Sequence, residues 1–263
     1  MENSTKQIDQ RRWLPPFFAI WGGQAVSLLG SQLVQFALVW WLTKTTGSAT
    51  VLATASLVAL LPQVLLGPLT GALVDRWNRR LVMIAADGLT ALATVILAVL
   101  FLLGKIQIWQ IYCVMFFRSV MSGFQYPAMQ ASTTLMVPNE HLSRIQGLNQ
   151  MLSGMMSIGS APLGALLLGF LPMQSVLAVD ICTALLAIVP LLFVKIPQPE
   201  RNALQPGTSS PSTLWQDILE GFRYVWAWPG LLMIIVMATL INLVLVPINA
   251  LQPILVTKHF GGQ

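Results

Sequence analysis

"GALVDRWNRR", residues 71–80, joins two apolar runs. Val51 to Val74 carries no charge and Leu81 to Ala86 is apolar again, yet Asp75, Arg76, Arg79 and Arg80 crowd together between them. Such a knot marks the place where a chain passes from one solvent to another. Composition identifies the solvents. The 263 residues are 56% hydrophobic and 9% charged, with a mean hydropathy of +0.73. A soluble domain carries about 25% charged residues, so this much apolar surface matches lipid. Lipid cannot satisfy open backbone groups, and the runs are too long for barrel strands, so the expected fold is an all-α integral membrane protein.

A bilayer crossing takes about 20 mostly apolar residues. Seven stretches qualify: 16–42, 49–74, 81–103, 107–128, 145–170, 173–194 and 230–257. The first is too long for a signal-peptide core and lacks a small-residue cleavage pattern, so it reads as retained. Between spans, "KTTGS" (44–48), "GK" (104–105) and "LPM" (171–173) read as tight turns. Pro62, Pro68, Pro162, Pro190 and Pro247 lie inside spans and are expected to kink them. The chain therefore divides into a cytoplasmic N-terminal tail (1–15), a six-span unit (16–194), a cytoplasmic linker (195–229) and a segment holding the seventh span (230–263). In the linker, the proline-rich "PQPERNALQPGTSSP" (197–211) reads as flexible. Beyond it Leu214, Trp215, Ile218, Leu219, Phe222, Val225 and Trp226 share one helical face, as in an amphipathic helix lying on the membrane surface.

Orientation comes from Lys and Arg. With the N-terminus in the cytoplasm, Lys6, Arg11, Arg12, Arg76, Arg79, Arg80, Arg144, Lys195, Arg201 and Arg223 lie inside, against Lys44, Lys105 and Lys258 outside. Trp13, Trp77, Trp226 and Trp228 then mark the inner interface, and Trp40, Trp41 and Trp109 the outer one. The net charge of +5 is scattered between spans with no basic face, which excludes nucleic acid as a partner. Cys113 and Cys182 fall in apolar runs and read as small core residues. No phosphate-cradling loop, nucleophile triad or metal spacing is present, and His141 and His259 stand apart. Neither an enzyme nor a cofactor is expected.

Polar groups inside a span are expensive and need a reason. Gln24, Ser27, Ser31 and Gln35 form one stripe on span one. They line a cavity or bond neighbouring helices; both uses draw on the same residue types. In span four, Arg118 shares a face with Ser122 and Gln125. Its partner would be Asp87 in span three or Asp180 in span six. A carboxylate withdrawn from water can exchange a proton near neutral pH. Depth favours Asp180 for that task, since Asp87 lies close enough to Arg80 to be tied to the charged knot instead. Gly67 with Gly71, and the row Ser153, Ser157, Ala161 and Ala165 with Ser160 and Gly164 beside it, are spaced for close helix approach.

Gly71, Asp75, Arg76, Arg79 and Arg80, between spans two and three, resemble the signature loop of the major facilitator superfamily. Asn78 stands where that pattern has Gly, and Asn tolerates positive φ. "AIWGGQAVSLLGSQLVQFALVWWLTKTTGSATVLATASLV" (19–58), "FRSVMSGFQYPAMQA" (117–131) and "VPINALQPILVTKHF" (246–260) resemble bacterial macrolide-efflux members of the superfamily. "GSAPLGA" (159–165) loosely resembles its antiporter signature. The resemblance implies a six-helix bundle as one half of a twelve-span transporter, with a loop that gates the two halves. It also implies export of lipophilic small molecules in exchange for protons, and an Arg in span four, here Arg118, is common in such exporters. On that pattern the chain looks truncated after its seventh span. The expected partners are the bilayer of the plasma membrane, the substrate, protons and a missing second half. A non-transporting half, or an exporter of another substrate such as a siderophore, is the alternative.

Overall fold

The computed structural model describes residues 13–198, 223–241 and 245. Six long helices succeed one another: α1 (Leu14–Thr46), α2 (Ala49–Arg76), α3 (Arg79–Leu102), α4 (Ile108–Met136), α5 (Asn139–Phe170) and α6 (Met173–Phe193). Pro229–Ile241 is a further apolar helix, and the chain is helical over 223–227. The rest of the seventh span, and of the surface helix expected from 214 to 226, lies outside the described residues. All the described elements are helices, as expected.

Five helices, α1, α2, α3, α5 and α6, are long and apolar enough to cross a membrane. The 29-residue α4 is long enough too, but Arg118, Ser119, Ser122, Gln125 and Gln130 make it less apolar. Its neighbours explain this. Packed against both α2 and α3, α4 turns its polar side chains to protein rather than lipid. On the other side of the bundle α1 packs on α5 and α6, and α6 packs on α3.

The turns at 47–48 and 171–172 are shorter than the sequence suggests, and the one after α3, at 103–107, is longer than the expected 104–105. Lys44, Thr45 and Thr46 belong to α1, which ends at Gly47 with φ +58°, a left-handed cap that glycine adopts without strain. Asn78, with φ −71°, does not use positive φ. Instead its side chain accepts from the backbone N–H groups of Arg80 (3.1 Å) and Leu81 (3.4 Å), capping α3. Pro62, Pro68, Pro162 and Pro190 sit within uninterrupted helices, as does Pro127, through which α4 continues to Met136. His141 lies in the first turn of α5, stacked on Trp13 at 5.5 Å between centroids.

Two expectations about small residues are corrected. Cys113 and Cys182 are exposed on the outside of the bundle, where lipid accepts a thiol as readily as a core does. Gly67 and Gly71 have open space beside them, and Ser153, Ser157, Ala161 and Ala165 are exposed. Close approach occurs at Gly164, beside that row, and at Gly30. A Cβ on Gly30 would lie 2.2 Å from Thr183 Oγ1 and 3.2 Å from Asp180 Cα of α6, and one on Gly164 would lie 2.5 Å from Phe36 of α1.

Two apolar clusters close the bundle. Toward one end Val34, Leu38, Leu42, Leu97, Ile111, Met115 and Leu177 are buried together; toward the other, Ile20, Val74, Met83, Ala128 and Leu191. On α1, α3, α4 and α6 the buried Gln24, Ser27, Asp87, Thr94, Arg118, Ser119 and Asp180 lie between these two clusters in sequence and so at mid-depth, whereas Thr43, Arg79, Ser132 and Thr133 lie beyond them.

Candidate functional site

The polar residues between the apolar clusters form two tiers. The first joins α1, α3, α4 and α6 around Asp180, which is 1% exposed. Arg118 Nη1 lies 2.5 Å from Asp180 Oδ2, and the pair is buried. Thr94 Oγ1 donates to the same carboxylate oxygen at 3.0 Å, and Ser31 Oγ donates to Asp180 Oδ1 at 3.1 Å. Arg118 Nη1 also bonds Thr94 Oγ1. Both carboxylate oxygens are thus occupied, and the arginine's charge is compensated where it stands. That is the condition under which an ion pair survives in low dielectric.

The second tier is two helical turns along α3 and α4. Asp87 Oδ2 accepts from Gln24 Nε2 at 2.7 Å, and Asp87 Oδ1 accepts from Gln125 Nε2 at 2.5 Å. Gln125 Nε2 also donates to Gln24 Oε1 at 2.8 Å, closing a ring of three side chains. Ser27 Oγ stands 3.5 Å from Asp87 Oδ1. Every donor in this tier is neutral. Asp87 is bound here rather than to Arg80, contrary to the tie expected from their spacing.

The remaining cavity candidates are less engaged. Gln35 and Ser122 are half-buried and make no side-chain hydrogen bond among the described residues. A separate groove of about 580 Å³ opens between α3 and α4, lined by Trp77, Leu81, Ala85, Leu89, Met121 and Phe124, with Arg76 at its edge. Ala85 and Leu89 stand on the opposite side of α3 from Asp87. The groove is therefore a lipid-facing seam and holds none of the polar tiers.

The charged knot sits at the same end of the bundle as the start of α1 and the end of α6. Asp75, at the end of α2, pairs with Arg79, at the start of α3, across the turn between the helices at 3.7 Å, with side chains 76% and 9% exposed. Arg79 Nε is buried without a partner among the described residues. Arg80 works differently. Its Nε donates to the Leu191 carbonyl and its Nη2 to the Leu192 carbonyl at 2.5 Å. A cation thus caps the last turn of α6, where orphan carbonyls and the helix dipole both favour it.

The family profile described as the Major Facilitator Superfamily matches residues 20–262. The chain belongs to the major facilitator superfamily. Among its relatives, macrolide efflux protein A of Streptococcus pyogenes is 35% identical over 252 residues, covering 95% of this chain and 61% of that protein. Macrolide efflux protein A of Enterococcus faecalis is 33% identical over 218 residues, covering 82% and 65%. An uncharacterized MFS-type transporter of Bacillus subtilis, YkuC, is 25% identical over 218 residues, covering 82% and 50%. No solved structure matches significantly. The chain spans about three fifths of the length of the streptococcal relative.

The superfamily consists of multi-pass membrane transporters, and five of the described helices of this member are long and apolar enough to cross a membrane. Sequence reasoning missed Thr94, which touches both Arg118 and Asp180. A signal was available: Thr94 is seven residues from Asp87, two turns along the same face of α3. It also missed the cap formed by Arg80, whose partners are backbone carbonyls that carry no mark in a sequence.

Proposed function

We propose that this chain forms the first half of an exporter of amphipathic, macrolide-like small molecules. It works by proton-coupled alternating access in the plasma membrane, with its N-terminus in the cytoplasm and a second half completing the cavity. The supporting observation is the unequal treatment of two buried carboxylates. Asp180 is tied to Arg118 at 2.5 Å, whereas Asp87 is held by neutral donors only. A proton arriving at Asp180 has to displace an arginine, while one arriving at Asp87 breaks no ion pair. Depth along the helix favoured Asp180 as the proton site; pairing favours Asp87, with Arg118 and Asp180 as the fixed framework beside it. Gln24, Ser27, Ser31, Gln35, Ser122 and Gln125 supply the polar side of the cavity. The loop of Gly71, Asp75, Arg76, Arg79 and Arg80 supplies the cytoplasmic latch, with the exposed Asp75 carboxylate positioned to meet the second half.

The kinship with macrolide efflux proteins selects the probe. Cells expressing the gene should accumulate less radiolabelled erythromycin than cells carrying the empty vector, and a protonophore should abolish the difference. Equal accumulation with and without the gene would refute macrolide export. A difference that survives the protonophore would refute proton coupling.

A further inference from the structure

A third polar chain crosses α1, α5 and α4, apart from both carboxylate tiers. Trp21 Nε1 donates to Asn149 Oδ1 at 2.7 Å. Asn149 Nδ2 faces Gln146 Oε1 at 3.5 Å, Gln146 Nε2 donates to Gln130 Oε1 at 3.2 Å, and Gln130 Nε2 donates to the Tyr126 hydroxyl at 3.0 Å. Four of these residues are half-buried and Tyr126 is 62% exposed. Tyr126 and Asn149 each stand ten residues from the turn joining α4 to α5, roughly 15 Å inside the helix ends. A run of polar side chains ending on an exposed hydroxyl at that depth is costly against lipid, which favours a water-filled space beside this face.

The direction of the chain is not arbitrary. An indole N–H can only donate. Trp21 therefore fixes which end of the Asn149 amide faces it, and each amide in turn fixes the next. The Tyr126 oxygen receives the last of these bonds, so its own O–H is left to donate outward. Asn149, Gln146 and Gln130 each keep a second N–H as well as a second carbonyl lone pair, and none of the five side chains carries a formal charge at neutral pH.

We propose that Trp21, Asn149, Gln146, Gln130 and Tyr126 form a substrate subsite. It recognises a neutral hydrogen-bond acceptor such as a lactone carbonyl, ether or sugar oxygen, which takes the Tyr126 hydroxyl as its donor. This rests on the export reading above and adds a division of labour. The carboxylate tiers handle charge, and this strip reads neutral oxygen.

The test is equilibrium binding of radiolabelled erythromycin to the protein purified together with its second half in lipid nanodiscs, with thermal stability measured on the same samples. Tyr126→Phe keeps the exposed ring and removes only the hydroxyl. It should weaken binding roughly three- to tenfold, the worth of one hydrogen bond, with Tm unchanged. Trp21→Phe should weaken binding as well, because the amides lose the donor that sets their direction. If Tyr126→Phe binds erythromycin as the parent does, the subsite is refuted. Weaker binding together with a fall in Tm in Tyr126→Phe makes the chain a structural tie and refutes it too. A parent protein that binds no erythromycin defeats the export reading itself, and the subsite with it.

Discussion

Asp87 and Asp180 carry the same functional group in the same membrane-spanning bundle, and their neighbours give them different duties. Replacing Asp180 with Asn leaves Arg118 buried without its counter-ion, a loss of about 3–5 kcal/mol. Asp180→Asn should therefore lower Tm in detergent and yield little folded protein. Asp87→Asn presents a neutral group of the same shape, as the protonated acid would, and no cation is orphaned. It should fold normally and exchange labelled for unlabelled erythromycin across proteoliposomes. It should fail to accumulate the drug when a pH gradient is imposed. Gradient-driven accumulation by Asp87→Asn at the parent's rate would remove Asp87 from the coupling step. The spacing of Gln24, Ser27 and Ser31 made the stripe on α1 readable from the sequence. Its partition was not readable: which of these residues meets Asp87 and which meets Asp180 depends on how α3 and α6 are placed, and no local pattern encodes that.

Helices were legible where apolar length set them and less so where caps did. The expected and observed spans agree closely for α2, α3 and α6. By contrast α4 runs on from 128 to Met136 and α5 starts at Asn139 rather than 145, because polar residues near the interface continue a helix without raising hydropathy. Glycines were read least well. Gly67 and Gly71 have the small-residue spacing but face open space, while Gly30, which no spacing singled out, meets α6. Gly30→Ala would push its methyl to 2.2 Å from Thr183 Oγ1 and 3.2 Å from the Asp180 backbone. Forcing α1 and α6 apart there should cost about 1–3 kcal/mol and loosen the Ser31 bond to Asp180. Gly22→Ala, on the same helix with nothing within 4 Å, should be neutral or gain about 0.5–1 kcal/mol from helix propensity. Melting curves of the two variants compare them directly. If Gly30→Ala melts no lower than Gly22→Ala, the contact between α1 and α6 is not tight.

The whole molecule has an orientation that rests on arginine placement alone. Arg80 reaches the carbonyls of Leu191 and Leu192, so the loop after α2 and the end of α6 share one end of the bundle. Gly47 and Gly104, both at positive φ, mark turns at the other end. The positive-inside rule assigns the arginine-rich end to the cytoplasm. Engineered thiols can check the assignment, but Cys113 and Cys182 are exposed and have to be replaced first, by alanine. In that background Thr46→Cys should react with a membrane-impermeant maleimide added to intact cells, and Asn78→Cys should react only after permeabilisation. Asn78→Cys gives up the α3 cap, worth about 1 kcal/mol, which is small enough to leave the topology intact. The opposite labelling pattern would put the Asp75–Arg80 knot on the extracellular face. A latch there could not close the cytoplasmic side, and the polar strip that ends at Tyr126 would open toward the outside instead of toward the compartment from which a drug is expelled.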